Sequence, residues 1–355
     1  MSLDAPEASR TPGAPASGVL HWAPDAGADP ATWTYTFGGA APVATLRPGQ
    51  VLSTSTFDCF GNRVGRGDLP SEVTDPRMLN PQTGPFWIEG ARPGDTLAVH
   101  FLSIEPRYAH GISSLVPFFG ALTSTATTAT LQPALPEKVW WYELDLDARL
   151  VHYSALDSPW TAALPLEPMH GTVGVAPPLG EVRSALTPGS WGGNMDTPLM
   201  RVGATCYLGV NVEGALFSLG DGHARQGEGE TCGVAVECAM DTVLVVDLIP
   251  AASGWSTPWP RLTDAENLMT VGSARPLEDA FRIAHTQMVH WVAELTGLST
   301  LDAYQLVTQV VRTPIAQVVD TDYTVVASFP RALLRDVSPY GGVHERLAAT
   351  PWAGR

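Results

Sequence analysis

The sequence predicts a mainly β protein with an α+β C-terminal part, in which β-sandwich or jelly-roll-like sheets are flanked by helices late in the chain. Short segments that alternate in polarity recur up to residue 249, as strands do. The 34 Gly and 31 Pro residues suit many short connections between strands. Helical periodicity begins only at Leu277. The order of these patterns predicts sheets first and helices afterwards.

Several segments have the alternation and the Val, Thr and aromatic content of strands. They are residues 32–37, 43–46, 51–52, 96–102, two runs within 204–218, 233–240, 242–249 and 324–329. Turn sequences separate them, such as Arg47-Pro48-Gly49-Gln50 and Pro93-Gly94-Asp95. We expect short connections between neighbouring strands.

Two helices are predicted near the C-terminus. Residues 277–295 place apolar side chains at three- and four-residue steps, and Gly297 follows the last of them. A second helix is expected over residues 300–311, where Ser299 provides an N-cap and Asp302 lies in the first turn.

The length of 355 residues exceeds that of a usual single domain, so we expect two closely packed regions. A mainly β catalytic region is predicted over residues 21–250, and an α+β region packed on it over residues 251–340. Residues 1–20, rich in Ala, Pro, Ser and Gly, are expected to form a flexible tail, and residues 341–355 a second tail.

The charge composition argues against nucleic acid and anionic membranes as partners. The chain has 20 Lys and Arg against 36 Asp and Glu, a net charge of −16. The first 18 residues lack a basic segment followed by an apolar one, and no stretch of about 18 apolar residues occurs. We expect a protein that is not secreted by a standard signal and does not span a membrane. A homodimer or a higher homo-oligomer is the expected assembly.

Cysteine usage indicates a reducing compartment. The four cysteines form no CxxC pair and no dense framework: Cys59, Cys206, Cys232 and Cys238. Reduced thiols in the cytoplasm are the expected state.

Residues 191–230 hold most of the candidate chemistry. In an extended Gly220-Asp221-Gly222-His223 segment, Asp221 and His223 point to the same side, which is chelate spacing. Glu228 and Glu230 also share a face, and the glycines between the pairs permit a turn that gathers all four groups. The alternative is a Gly-rich surface hairpin with solvated acids.

Four further residues are candidates because of their loop context. Asn194 and Asp196 follow the turn Gly192-Gly193 and are polar groups suited to binding an amide or orienting a ligand. His170 precedes Gly171, and its alternative role is a surface hydrogen bond. Asp58 stands before Gly61, and its alternative role is to form a turn.

Several segments together match a known pattern, which spans roughly residues 35 to 335. They are Asn80-Pro81-Gln82-Thr83-Gly84-Pro85-Phe86-Trp87-Ile88-Glu89-Gly90-Ala91-Arg92-Pro93-Gly94-Asp95-Thr96-Leu97, His170-Gly171-Thr172-Val173-Gly174-Val175-Ala176-Pro177, Gly192-Gly193-Asn194-Met195-Asp196, Gly214-Ala215-Leu216-Phe217-Ser218, Gly220-Asp221-Gly222-His223-Ala224 and Gln226-Gly227-Glu228-Gly229-Glu230. The chain resembles the acetamidase/formamidase family of amide hydrolases and departs from it at Thr172 and Pro178. The resemblance implies hydrolysis of a small aliphatic amide to carboxylate and ammonia, on a largely β fold with a bound divalent metal.

Amide hydrolysis requires a polarised carbonyl, an activated water and a proton for the leaving nitrogen. We expect Asp221 and His223 to hold the metal, with Asp58 or His170 completing the set. Mixed Asp and His ligands favour zinc, whereas an all-oxygen site would indicate calcium. Glu230 is expected to act as general base and to return the proton to the leaving ammonia.

Further roles are predicted around the Gly-Gly turn. Asn194, or the backbone N–H groups of Gly192 and Gly193, would stabilise the oxyanion. Asp196 is expected to assist catalysis, and Glu228 to bind substrate together with the two glycines. Cys59 is disfavoured as a nucleophile, because no activating base is visible in its local sequence.

Two other functions stay open at this point. One is a metal-dependent hydrolase of another C–N bond, since a family does not fix a substrate. The other is a β-sandwich binding protein whose acidic turn holds structural calcium and whose exposed Trp residues stack on sugars.

Overall fold

The computed structural model describes residues 18–123, 134–335 and 337–352. Within these ranges the chain forms two large β-sheets, a two-stranded sheet and a layer of helices. The predicted mainly β class with helices late in the chain is confirmed. The tail predicted for residues 1–20 falls outside the described residues up to residue 17.

The strands are numbered in chain order over the described residues. They are β1 Val19–His21, β2 Thr36–Phe37, β3 Ala44–Leu46, β4 Val51–Ser55, β5 Thr83–Ile88, β6 Thr96–Pro106, β7 His110–Leu115, β8 Lys138–Asp145, β9 Leu150–Ser154, β10 Thr161–Pro165, β11 Met169–Gly174, β12 Arg183–Ser184, β13 Gly192–Asn194, β14 Thr205–Gly209, β15 Phe217–Arg225, β16 Val236–Glu237, β17 Met240–Ile249, β18 Arg261–Thr263, β19 Asn267–Ala274, β20 Ile315–Gln317 and β21 Tyr323–Pro330. The helices are α1 Pro70–Val73, α2 Leu277–Thr296, α3 Thr300–Val310 and α4 Val343–Ala348.

The central layer is a sheet with the strand order β1-β4-β17-β6-β14-β18-β19-β21-β20. Side chains of β6 alternate between its two faces. Leu97, Val99 and Phe101 face the core between the two large sheets, whereas Ala98 and Leu102 face the helices. Both faces of this sheet are therefore buried.

The second large sheet has the order β10-β9-β8-β7-β16-β15-β11-β13, and β5 and β3 extend it beside β15. Phe86 on β5 and Phe217 and Leu219 on β15 point into the core that this sheet shares with the central one. This packing makes the two sheets a sandwich and gives β15 a dry, crowded environment.

The helices cover the opposite face of the central sheet. Trp291, fully buried on α2, packs with Phe329 of β21 in the core beneath the helices. Helix α2 approaches β19 closely at Gly272, where an added Cβ would lie 2.6 Å from the Ala284 nitrogen. The predicted cap is confirmed, since the Ser299 hydroxyl accepts a hydrogen bond from the Asp302 nitrogen at 3.1 Å.

The segment Gly220-Asp221-Gly222-His223 lies within a strand, because β15 continues through Arg225. Its glycines provide space for neighbouring strands. A Cβ at Gly220 would lie 2.8 Å from the Gln82 side chain, and one at Gly222 would lie 2.6 Å from the Cys238 carbonyl oxygen. The chain turns only after β15 ends.

Three other segments differ from the sequence predictions. The strand predicted over residues 32–37 is reduced to β2, because residues Pro30–Thr32 form a 3-10 turn. Strands β18 to β21, from the predicted C-terminal region, continue the central sheet through the pairing of β18 with β14. Residues 343–348, within a predicted tail, form α4, which buries Val343 and Leu347. The described helices include none that is long and apolar enough to cross a membrane.

Candidate active site

Three neighbouring strands bring the candidate residues together. In the register of β13, β11 and β15, Thr172 pairs with Asn194 on one side and with Gly220 on the other. Asp221 therefore lies next to this row, and its Oδ2 is 3.4 Å from the Thr172 hydroxyl. The predicted shared side of Asp221 and His223 is confirmed, because Asp221 Oδ2 lies 3.5 Å from His223 Nε2.

The imidazole of His223 is held in one orientation by Gln226. The Gln226 amide nitrogen donates to the carbonyl oxygens of Asp196, at 2.6 Å, and of Ala316, at 3.0 Å. Its amide oxygen therefore faces His223 Nδ1 at 2.9 Å and accepts a hydrogen bond from it. This arrangement leaves Nε2 of the neutral ring with its lone pair toward the acids.

Five buried carboxyl groups surround this imidazole and form what we call the acidic cluster: Asp196, Asp221, Glu230, Glu237 and Asp320. Glu237 Oε2 lies 3.2 Å from His223 Nε2. The Asn194 amide nitrogen donates to Asp196 Oδ2 and to Asp320 Oδ2, each at 2.8 Å. Asn80 in turn donates to the Asn194 oxygen at 3.0 Å.

The acidic cluster contains more carboxylates than can ionise together. Burial raises the pKa of Glu237 and of Asp320, each to about 7. Burial, with repulsion from neighbouring carboxylates, raises the pKa of Asp196 and of Glu230 well above the usual range. A positive charge placed among these groups would stabilise their ionised forms.

Asp221 and His223 titrate as an ion pair. Burial opposes charge on Asp221, but the His223 imidazolium and several hydrogen bonds hold the pKa of Asp221 below its usual value. Burial likewise opposes charge on His223, yet the carboxylates of Glu237 and Asp221 raise its pKa well above the usual value. Without a cation the pair carries opposite charges, whereas a cation bound at Nε2 would replace that proton and leave the ring neutral.

The backbone of this site is strained at its acids. Asp196, Asp221 and Glu230 all have positive φ, of 45°, 55° and 45°. Residues with a side chain adopt this left-handed region rarely and at a cost of about 1–3 kcal/mol, and such residues concentrate at functional sites. A lone turn would not explain three such residues around one imidazole.

Gly171 provides the space in which these groups meet. A Cβ at this position would overlap Asp196 Oδ1 and lie 2.6 Å from Asp221 Oδ2 and 3.0 Å from His223 Cε1. The glycine therefore permits the side chains of β15 and of the loop after β13 to approach one another.

Four buried atoms of the site have no hydrogen-bond partner among the described residues. They are Asp196 Oδ1, Asp221 Oδ1, His223 Nε2 and Glu237 Oε2. Ligand atoms of Asp196, Asp221 and His223 lie within 4.8 Å of one another, as do those of His223, Glu230 and Glu237. Buried oxygens and an imidazole nitrogen that lie close together without hydrogen-bond partners are typical ligands of a divalent cation. The residues present fit such an ion.

The acidic cluster opens into a cavity of about 320 Å³. Asn80, Asn194 and all five acids of the cluster contribute to its wall, and so does Cys59. Burial raises the pKa of the Cys59 thiol well above its usual value, and the nearby Glu237 and Asp221 carboxylates add to this shift. Cys59 is therefore a protonated thiol at neutral pH.

Asp58 and His170 are placed differently from the other predicted ligands. Asp58 Oδ1 accepts hydrogen bonds from the backbone nitrogens of Phe60, at 2.9 Å, and Asn62, at 2.7 Å, which is a turn-forming role. His170 Nδ1 donates to the Gly220 carbonyl at 3.0 Å, and Nε2 accepts from the Thr242 hydroxyl at 2.8 Å. With both ring nitrogens engaged, His170 supports β15 rather than a metal.

Gly192, Gly193 and Glu228 also lie outside the acidic cluster. The Gly192 nitrogen donates to the Gly189 carbonyl at 3.1 Å, and Gly193 pairs with Val173 in the sheet, so neither is a free oxyanion donor. Glu228 is exposed, whereas Glu230 is buried. The shared face predicted for them is wrong, because the left-handed Gly229 and Glu230 end the extended conformation.

The sequence prediction did not include Glu237, Asp320 and Gln226. A signal existed for Glu237, since it is the one charged residue in the apolar run 233–240. Asp320 follows two valines in a loop, and Gln226 stands among glycines. Neither has a local pattern that indicates the bond it makes across the fold.

Comparison with known proteins shows which family the sequence matches. The sequence profile described as the Acetamidase/Formamidase family matches residues 39–178 and 180–334. A formamidase from Methylophilus methylotrophus is 25% identical over 252 residues, which cover 58% of this chain and 61% of that protein's length.

Solved structures extend the similarity over almost the whole chain. An acetamidase from Yersinia enterocolitica has 39% identity and a TM-score of 0.82, covering 92% of this chain and 94% of its own. A predicted acetamidase/formamidase from Thermoanaerobacter tengcongensis has 32% identity and a TM-score of 0.76, covering 89% and 98%. The two-sheet sandwich and the helical layer of this chain are therefore similar to the folds of these two structures.

The first prediction concerns acid stability and His170. Burial lowers the pKa of His170 to about 4 from its usual 6.5, while its bond to Gly220 acts in the opposite direction. Between these pH values the unfolded chain binds a proton that the folded chain does not, so the free energy of unfolding falls by about 1.4 kcal/mol per unit as pH decreases. We expect His170→Gln to reduce that slope between pH 6.5 and pH 4.5 in denaturant titrations.

Exposed His152 on β9 provides the matched control. His152→Gln should keep the slope of the parent protein. Equal slopes for His170→Gln and the parent would show that His170 is not buried in its neutral form.

Proposed function

Because the chain belongs to the acetamidase/formamidase family, we propose that it hydrolyses a small aliphatic amide, of the formamide or acetamide type, to carboxylate and ammonia. The observation that carries the proposal is the acidic cluster. Its unsatisfied atoms lie around His223 Nε2, and the five acids of the cluster line a cavity. A calcium-holding surface turn would not bury an imidazole among five acids.

We propose that Asp221, His223, Asp196 and Glu237 hold a divalent metal ion through these unsatisfied atoms. The metal would polarise the amide carbonyl as a Lewis acid and lower the pKa of a bound water. The imidazole among the donors favours zinc over calcium, which prefers oxygen ligands alone. Gln226 supports this role, since it keeps the proton on Nδ1 and leaves Nε2 available.

Glu230 is the residue we assign as general base. Its carboxyl group is buried and lines the cavity. Together with Glu237 and His223 it forms one of the groups of side chains that could bind a metal. Burial raises the pKa of Glu230, and a cation bound nearby would oppose that shift, so an ionised Glu230 could take a proton from water and deliver it to the departing nitrogen.

Asn194 positions acids in this mechanism. Its amide nitrogen donates to Asp196 and Asp320, so its hydrogens are directed at carboxylates rather than at a substrate oxygen. Its oxygen accepts from Asn80 and from Thr172, which fixes the direction of the amide. Asp320, whose pKa is raised to about 7 by burial, can hold a proton for the leaving ammonia.

A nucleophilic role for Cys59 is not supported by its surroundings. Catalytic cysteines act as thiolates and need a lowered pKa, whereas burial and the nearby acids raise the pKa of Cys59. The proposed reaction therefore proceeds by attack of water rather than through a thioester.

We further propose a cytoplasmic homo-oligomer. All four cysteines are free thiols, which suits a reducing compartment. Phe281, Leu301 and Tyr304 are exposed along the groove between α2 and α3, a surface that a second copy would cover. A purified protein that sediments only as a monomer would contradict the oligomeric part.

The second prediction concerns metal removal. Dialysis against a chelator should abolish ammonia release from formamide and acetamide, and zinc should restore it, because the proposed ligands would lose the ion that activates water. Elemental analysis must accompany the assay. Full turnover by protein without metal would exclude the metal mechanism and direct attention to Cys59.

The third prediction separates the base from the ligands. Glu230→Gln keeps the shape of the side chain but removes the proton acceptor, so kcat should fall by about 10² to 10⁴-fold with metal content unchanged. Asp221→Asn and His223→Ala should lose metal together with activity. The measurements are steady-state kinetics and metal stoichiometry on the same preparations.

Exposed Glu213, between β14 and β15, gives the matched control, and Glu213→Gln should retain the parent kcat. If Glu230→Gln lost its metal, Glu230 would be a ligand. If it kept full turnover, another acid of the cluster would be the base.

A further inference from the structure

The residues that line the cavity beside the acidic cluster form a polar set and an apolar set, which we call its polar wall and its apolar wall. One wall carries the five acids with Asn80 and Asn194. The other is lined by apolar side chains from separate parts of the chain: Phe60, Leu79, Val116, Phe119, Leu186 and Val234. Hydrolysis of formamide requires only the polar wall.

The two walls meet along the same short segments of chain. Leu79 belongs to the apolar wall, while its neighbour Asn80 donates to Asn194 on the polar wall. Val234 and Glu237 are three residues apart in the chain. Val234 belongs to the apolar wall, whereas Glu237 belongs to the polar wall. Phe60, Leu79 and Val234 belong to one apolar cluster, so a ligand with a polar head and an apolar tail fits with its tail there and its head at the acidic cluster.

The volume of the cavity exceeds what the smallest amides need. At about 320 Å³ it reaches the lower range of pockets that enclose much larger ligands, about 300 Å³ upward. Acetamide has one methyl group to place against six apolar side chains. A longer acyl chain would remove more of that apolar surface from water.

We propose that the physiological substrate is a primary amide with an uncharged, apolar acyl group larger than acetyl, on the order of four to six carbons, whose chain lies on the apolar wall. This inference rests on the proposed amidase function and names the substrate class of the same site. Charged acyl groups are excluded, because a carboxylate on this wall would lose its hydration without gaining a partner.

The experiment compares formamide, acetamide, butyramide and hexanamide. We expect kcat/KM for ammonia release to rise about fourfold for each methylene added beyond acetamide until the wall is covered. Succinamate, which has the four-carbon chain of butyramide but ends in a carboxylate, should be at least about 100-fold poorer than butyramide.

Leu186→Trp tests the wall itself. Leu186 is half-buried and lies outside the acidic cluster, so a larger side chain would fill the cavity with little effect on the core. We expect kcat/KM for hexanamide to fall by about tenfold or more while that for formamide changes less than about twofold. Leu156→Trp, at an exposed position between β9 and β10, is the matched control, and melting temperatures verify the fold of both variants.

Titration calorimetry of the same amides with Glu230→Gln gives a readout that is independent of turnover. Tighter binding of hexanamide than of acetamide, with no ammonia released by the parent, would support the acyl site and refute the hydrolysis. Hydrolysis of acetamide with no rise in affinity or kcat/KM along the series would refute the acyl site and keep the amidase. Absence of both binding and ammonia release would overturn both proposals.

Discussion

Five carboxylic acids buried around one imidazole create a repulsion that the rest of the site must balance. Burial is the largest cause that raises the pKa of Glu237 and of Asp320 to about 7. His223 offers a single positive charge, and two hydrogen bonds from Asn194 reach only Asp196 and Asp320. The remaining unsatisfied oxygens make a bound cation the simplest source of compensation. The proposed metal binding and the proposed proton transfer thus answer the same electrostatic problem.

The sandwich is what maintains this arrangement. Strand β15 lies between β11, β16 and β5, and its apolar residues Phe217 and Leu219 are anchored in the core between the sheets. Buried, densely packed strands hold side chains within the small tolerances that catalysis requires. Removing β15 from water also strengthens each electrostatic interaction at Asp221 and His223. The fold therefore provides both the position and the low dielectric of the acidic cluster.

Local patterns were sufficient where one short segment decides the structure. Helices α2 and α3 end within a residue of their predicted bounds, since apolar spacing and the Ser299 cap act over a few residues. Chelate spacing placed Asp221 beside His223 because both are on one strand. The same rule failed for Glu228 and Glu230, because they follow the end of β15 and no strand pairing keeps their backbone extended. Such backbone conformations depend on contacts elsewhere in the fold.

The sequence by itself determined the mainly β class, the late helices, the family resemblance and the segments that carry Asp196, Asp221, His223 and Glu230. Only the tertiary structure added Glu237, Asp320 and Gln226 to them and assigned His170 to supporting bonds. Hydrogen bonds and charge interactions between distant segments decide these roles. A linear pattern records which residues are neighbours in the chain, whereas the pKa, the free lone pair and the cavity wall depend on neighbours in space.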